Sequence, residues 1–200
     1  MSTVARTSAA IGPSLGDVYR FNVEDYERLV GCGVLDEDAP IELLDGVIIR
    51  KMPKGPRHSK CLIRCRRHLE RLIPGDGFHI RTESPVRLPE FSEPEPDVSV
   101  ARGDDERYTD RHPGPSDVVL IVEIAEASLT RDRVAKRDVY AQAGLPVYWI
   151  VNLIERRVEV YSDPRDGAYA TTSVVGEGDS VELVVDGAAW GRVEVAAILP

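Results

Sequence analysis

Cysteine is scarce in this 200-residue chain, with three residues, Cys32, Cys61 and Cys65. An odd number at this length does not make a disulfide framework, so all three are read as reduced thiols. No stretch approaches the roughly 18 uninterrupted apolar residues that a membrane-spanning helix needs, and MSTVARTSAAIGPSLG carries no continuous apolar block of the kind a secretory leader requires. A cytoplasmic protein with no membrane association is therefore expected. Aromatic residues make up only 6% of the chain, too few to line an open carbohydrate cleft. Positive charge is also outweighed, with 25 Lys and Arg against 34 Asp and Glu, a formal net charge of −9. What remains is 42% hydrophobic residues with 30% charged ones, which suits a folded core and excludes disorder throughout.

Residues 1 to 17 are small, polar and aperiodic, and are expected to form a flexible tail ahead of one domain over 18–200. A capped helix is predicted over 22–32. A hairpin is predicted around Asp45-Gly46, and a long helix over 56–73, where Leu62, Cys65, Leu69, Leu72 and Ile73 share one arc. Short strands are predicted in GFHIRTE, PVRLPE and PDVSVA. SDVVLIVEIA reads as a strand buried on both faces, 129–143 as a helix, and PVYWIVNL as a second buried strand. Strand, helix, strand in so few residues implies a crossover between parallel neighbours. RRVEVYSD, AYATTSVV and SVELVVD complete an antiparallel meander. The fold class is thus α/β, a mixed sheet flanked by helices.

Charge is unevenly spread. Arg50 to Arg71 holds nine bases and one acid, a net +8 that leaves −17 on the rest of the chain. On a helical wheel Arg57, Lys60, Arg64, Arg67 and Arg71 occupy one arc beside the apolar face. Such a stripe is either a solvated helix face or a surface for a phosphate backbone, and its contrast with an acidic chain favours nucleic acid. His58, Cys61, Cys65 and His68 have a zinc-like spacing, but one straight helix cannot wrap four ligands around an ion. Buried thiols are the better account of the cysteines. His58 either hydrogen-bonds in the core or points into a site at the sheet edge.

Asp97 opens a strand after Pro96, and Glu123 lies in the apolar run LIVEIA. A glutamate buried there is costly unless it meets a cation. Two acids on adjacent strands converge readily on one divalent ion, and an oxygen-rich shell favours Mg2+ or Mn2+ over zinc. Lys136, in the crossover helix, leans back over the strand ends or pairs with Asp132 on the surface. Asp97 alone also reads as turn chemistry.

The run ELLDG, then His58, then PDV, then VEIAEASLTRDRVAKRDVYAQAGLPVYWIVNL resembles the Uma family, bacterial proteins named as restriction endonucleases and placed in the PD-(D/E)XK nuclease superfamily. The resemblance covers about 20–165. It implies a restriction-endonuclease-like core and metal-dependent hydrolysis of nucleic-acid phosphodiesters, with DNA as the expected substrate. Asp97 and Glu123 would hold the metal, joined by Glu42 from ELLDG. The lysine of a standard E-x-K would stand at 125, where this chain has Ala125; the family's lysine in the following helix matches Lys136. Val147 and Asn152 stand where the family commonly has acids. Lys136 would orient water or offset phosphorane charge, His58 would support the site or carry a proton, and the stripe would hold the backbone without reading sequence. The alternative is a nucleic-acid-binding or partner-binding module on the same fold that has lost cleavage. A carboxylate-pair glycosidase fits poorly with so few aromatics. A homodimer is expected by analogy with enzymes that cut duplexes.

Overall fold

Helix α1 (Val23–Gly31) starts where Asn22 accepts the Asp25 N–H at 2.7 Å, satisfying a donor that the helix itself leaves open. The structure to which it belongs is a computed structural model that describes residues 18–75 and 77–200; the expected N-terminal tail lies outside the described residues. Strands β1 (Ile41–Leu44) and β2 (Val47–Arg50) form the hairpin expected at Asp45-Gly46. Both turn residues have positive φ, 50° and 78°, the geometry whose twist matches the paired strands. A side chain at Gly46 would also meet Arg20, 2.5 Å from its Cβ.

Proline at its first position opens α2 (Pro56–Leu72), which buries His58, Cys61, Cys65 and Leu69. Strands β3 (Phe78–Thr82) and β4 (Val98–Arg102) follow, but PVRLPE between them forms no strand. Its only pairing is an isolated bridge between Leu88 and Ser92. Pro85 and Pro89 bracket the segment and lack the N–H that a ladder needs.

The apolar run becomes β5 (Val118–Ala125), every residue of which is buried. The crossover consists of α3 (Leu129–Arg131), a π-helical turn Asp132–Lys136 and α4 (Arg137–Gln142). It leads to β6 (Val147–Asn152), which pairs parallel to β5 as expected. Strands β7 (Arg157–Arg165) and β8 (Ala168–Gly176) extend the sheet antiparallel, giving the order β3-β4-β5-β6-β7-β8. The remaining antiparallel strands, β9 (Ser180–Val185) and β10 (Ala188–Glu194), pair only with each other, and α5 (Val195–Ile198) closes the described chain.

Alternation along the strands splits the core in two. Val98, Val100, Val122, Ile124, Trp149 and Val151 face α2 and meet Cys61, Cys65 and Leu69, with Val181, Leu183 and Val193 of the β9–β10 hairpin closing that side. Ile121, Ala125, Tyr148 and Ile150 face the crossover and pack on Tyr140 and Leu145. None of the described helices is long and apolar enough to cross a membrane.

Candidate active site

Strand register brings the acids together. Val98 pairs with Val122, so Asp97 stands at the level of Glu123; Glu123 pairs with Ile150, and Ile150 with Glu159. Glu123 therefore faces the crossover, while Asp97 lies at the sheet edge within reach of α2. The third acid comes from the hairpin. Leu43 and Glu93 exchange backbone hydrogen bonds of 3.3 and 2.8 Å, which lays β1 against the segment before β4 and turns Glu42 inward.

Asp97 is held on three sides. Its Oδ2 accepts the Ile124 N–H at 2.7 Å and lies 3.1 Å from His58 Nε2, and its Oδ1 is 3.3 Å from Lys54 Nζ. Burial works to raise its pKa, but the bond from His58 and the other donors win and hold the carboxyl below the usual range. An ionised Asp97 makes His58 Nε2 the protonated ring nitrogen. His58 thus takes the site-facing role of the two left open by the sequence, with Nδ1 buried and without a hydrogen-bond partner.

Glu123 is the opposite case. Burial, followed by the fields of Asp97, Asp132 and Glu42, pushes it up to about 8 against the pull of Lys136. Its Oε1 accepts from Lys136 Nζ at 2.8 Å and from the Tyr140 hydroxyl at 2.8 Å. The same ammonium lies 3.0 Å from Glu42 Oε2, which also accepts the Glu95 N–H at 3.2 Å. Burial alone would lower the pKa of Lys136, but Glu123, Glu42 and Asp132 raise it well above the ordinary lysine range. A lysine from the crossover helix therefore reaches the strand glutamate even though position 125 is a buried alanine.

These groups line one cleft of about 80 Å³, together with Lys51, Glu95, Glu126, Arg131 and Asp132. Six carboxyl groups and four lysine and arginine cations line it. The donors are hard oxygens, the set suited to Mg2+ or Mn2+. Among the described residues no three His, Cys, Asp or Glu groups form a ready cage. Magnesium does not require one, since it is commonly held by one or two carboxylates and keeps several waters. The oxygen donors present thus suit a hard divalent cation held by one or two carboxylates, with Asp97, Glu123 and Glu42 all lining the cleft.

The basic stripe is only partly free. Arg64 donates to the Leu199 carbonyl, and Arg57 reaches both Glu126 (3.1 Å) and the Leu153 carbonyl (3.3 Å). Lys60, Arg67 and Arg71 are exposed, and no ion pair holds them among the described residues. Cys61 and Cys65 lie in the core with sulfurs 3.9 Å apart, and His68 Nδ1 is 2.9 Å from the Arg64 carbonyl. Asn152 caps the turn after β6, its Oδ1 accepting from Ile154 and Glu155 at 3.1 and 2.9 Å. Sequence reasoning missed Lys54, Arg131, Asp132 and Tyr140 as parts of the site. Asp132, Lys136 and Tyr140 recur every four residues, a spacing that marks one helix face.

A family profile named Uma2 and described as "Putative restriction endonuclease" matches residues 23–194. Among solved structures, a protein of Anabaena variabilis described as a "putative nuclease belonging to DUF820" superposes with a TM-score of 0.65 at 20% identity, covering 89% of this chain and 97% of that one. At this identity the likeness concerns the fold, a mixed sheet flanked by helices. No curated protein matches the chain.

Proposed function

The chain belongs to the Uma2 family, and from that premise we propose that it is a metal-dependent nuclease that hydrolyses phosphodiester bonds of DNA. The observation that carries the reading is the convergence of Asp97 and Glu123 from neighbouring strands, with Lys136 Nζ 2.8 Å from Glu123, in one acid-rich cleft. Asp97 and Glu123, with Glu42, would hold a Mg2+ or Mn2+ ion. Such an ion, when bound, polarises a scissile phosphate and lowers the pKa of a bound water.

The chain's own residues do the rest. Asp97 is ionised and ready to bind, and His58 fixes its orientation through the 3.1 Å contact. Lys136, with its raised pKa, stays an ammonium. It is therefore a donor that offsets charge developing on phosphate oxygens, and it takes no part as a proton acceptor. Lys60, Arg67 and Arg71 would contact phosphates along the backbone, which positions a duplex without reading its sequence.

The test is incubation of supercoiled plasmid, linear duplex, single-stranded DNA and RNA with wild type and Asp97→Asn, each with Mg2+, Mn2+ or a chelator. We expect nicked and linear plasmid from wild type with metal only, and none from Asp97→Asn. Intact substrates under every condition would defeat the proposal. One observation favours a second reading, a binding module without cleavage: Lys136 already occupies both Glu123 and Glu42 as their ion-pair partner. Binding that weakens with salt, without metal-dependent product, would select it.

A further inference from the structure

Asp132 is the deepest unexplained acid of the cleft. Only 2% of it is exposed, it lines the same cavity as Glu123 and Lys136, and its Oδ2 has no hydrogen-bond partner. Two other buried carboxylates, Asp117 and Glu159, are treated differently, whereas Glu93, outside the cleft, also keeps one oxygen without a partner among the described residues. Asp117 accepts from Arg107, Arg111 and the Gly114 N–H, and Glu159 from Arg133, Asn152 and Tyr161. Gathering donors in this way avoids the desolvation cost of a buried unpaired oxygen, and what separates Asp132 from Glu93 is its place in the cleft of Glu123 and Lys136. Asp132 keeps a lone pair unspent in a cleft already shaped by acids.

The backbone at this position is also unusual. Asp132 begins the π-helical turn, and the Arg137 N–H bonds to its carbonyl five residues back. The Tyr148 hydroxyl donates to that same carbonyl at 3.1 Å and anchors it to the sheet. In an α-helix, residues four apart drift by about 40° per step. The wider π turn from 132 to 136 rotates in the opposite sense to the α turn that follows. Asp132, Lys136 and Tyr140 are consequently all buried on the side of Glu123. Turns of this kind cost regular helix bonding and recur where a side chain has to be aimed.

We infer that Asp132 is a further ligand of the divalent cation, delivered into the cleft by the π turn opposite Asp97 and Glu123. The inference rests on the metal-dependent reading above and adds a carboxylate to its site. With Asp132 included, the cation would be gripped from the crossover as well as from the sheet. Lys136 would be left to the substrate.

Full-length wild type, Asp132→Asn and Asp97→Asn should be titrated with Mn2+, reading free Mn2+ by electron paramagnetic resonance and following Tm with and without the metal. We expect Asp132→Asn to weaken Mn2+ binding on the order of 10–100-fold and to shrink the Mn2+-induced rise in Tm. Its Tm without metal should change little, because the amide keeps the shape of the side chain, and the desolvation it relieves offsets the lost attraction to Lys136. Should that Tm fall, Asp132→Ser, which leaves room for a water, carries the same titration. Binding by the Asp132 variant within about twofold of wild type while Asp97→Asn loses Mn2+, well under the roughly 10-fold that even the loss of a group supporting a ligand costs, overturns the ligand role and spares the metal reading. Absence of Mn2+ binding by wild type overturns both.

Discussion

Replacing Lys136 by methionine keeps the aliphatic stem and deletes the ammonium that two buried acids share. Glu123 and Glu42 lie 2.8 and 3.0 Å from that nitrogen, and both are at most 4% exposed. Removing one partner of a buried ion pair costs about 3–5 kcal/mol, because the other charge stays out of water without compensation. For a chain of this length that amounts to a fall in Tm on the order of 10 °C. Direction with pH follows from Glu123. Burial already lifts it from 4.5 to about 8 with the ammonium in place, so deletion raises it further. A carboxylate whose folded pKa exceeds its unfolded one stabilises the fold while protonated. That contribution is complete below 4.5 and is lost as pH rises through the folded value. The gap between wild type and Lys136→Met should therefore be smallest near pH 4.5 and widest above pH 8. Mn2+ should raise the Tm of the variant more than that of wild type, since an added cation takes over the missing charge. Calorimetric melts across pH, with and without Mn2+, measure all three effects. Equal Tm values above pH 8, where Glu123 is ionised in wild type, would refute the claim that Lys136 compensates buried carboxylates.

Three further outcomes are expected. Glu159 is held down to about 2: burial opposes the shift, but the bonds from Arg133, Asn152 and Tyr161 win, so its stabilisation is present above 4.5 and lost as pH falls toward 2. Arg133→Gln should weaken that acid-side dependence and lower stability toward the low end of about 3–5 kcal/mol, as Asn152 and Tyr161 still satisfy Glu159; urea melts at neutral and low pH check it. Changing Lys60, Arg67 and Arg71 together to Gln should weaken DNA binding and flatten the slope of log affinity against log salt by about 3, near 0.9 for each phosphate left without its cation. Arg64→Ala should instead lower Tm with little change in that slope, because Arg64 is spent on the Leu199 carbonyl.

Local chemistry was legible without the fold. The Asp45-Gly46 turn, the Asn22 cap, the amphipathic α2 and the apolar run of β5 each follow from residues close together in the chain, so the hairpin, both helices and the parallel β5–β6 pair could be placed from it. Glu123 stood out because a charge among apolar neighbours is expensive and needs a partner, Asp97 as the acid that opens the neighbouring strand, and Lys136 by its place in the crossover that follows Glu123. PVRLPE could not be settled that way: its alternation resembles a strand, yet whether a partner edge is available is a property of the sheet. Tertiary structure also decided which bases of the α2 stripe are free, since a wheel places Arg64 beside Arg67 but does not reveal a chain end waiting for it. Above all, it decided the occupants of the site. Lys54 precedes α2 while Arg131, Asp132 and Tyr140 lie along the crossover, and only strand register, the docking of the hairpin and the π turn bring their side chains to the two acids that the sequence had marked. The reason is physical: a site is defined by distances of a few ångströms between residues far apart in the chain, whereas sequence patterns report only which face of an element is buried.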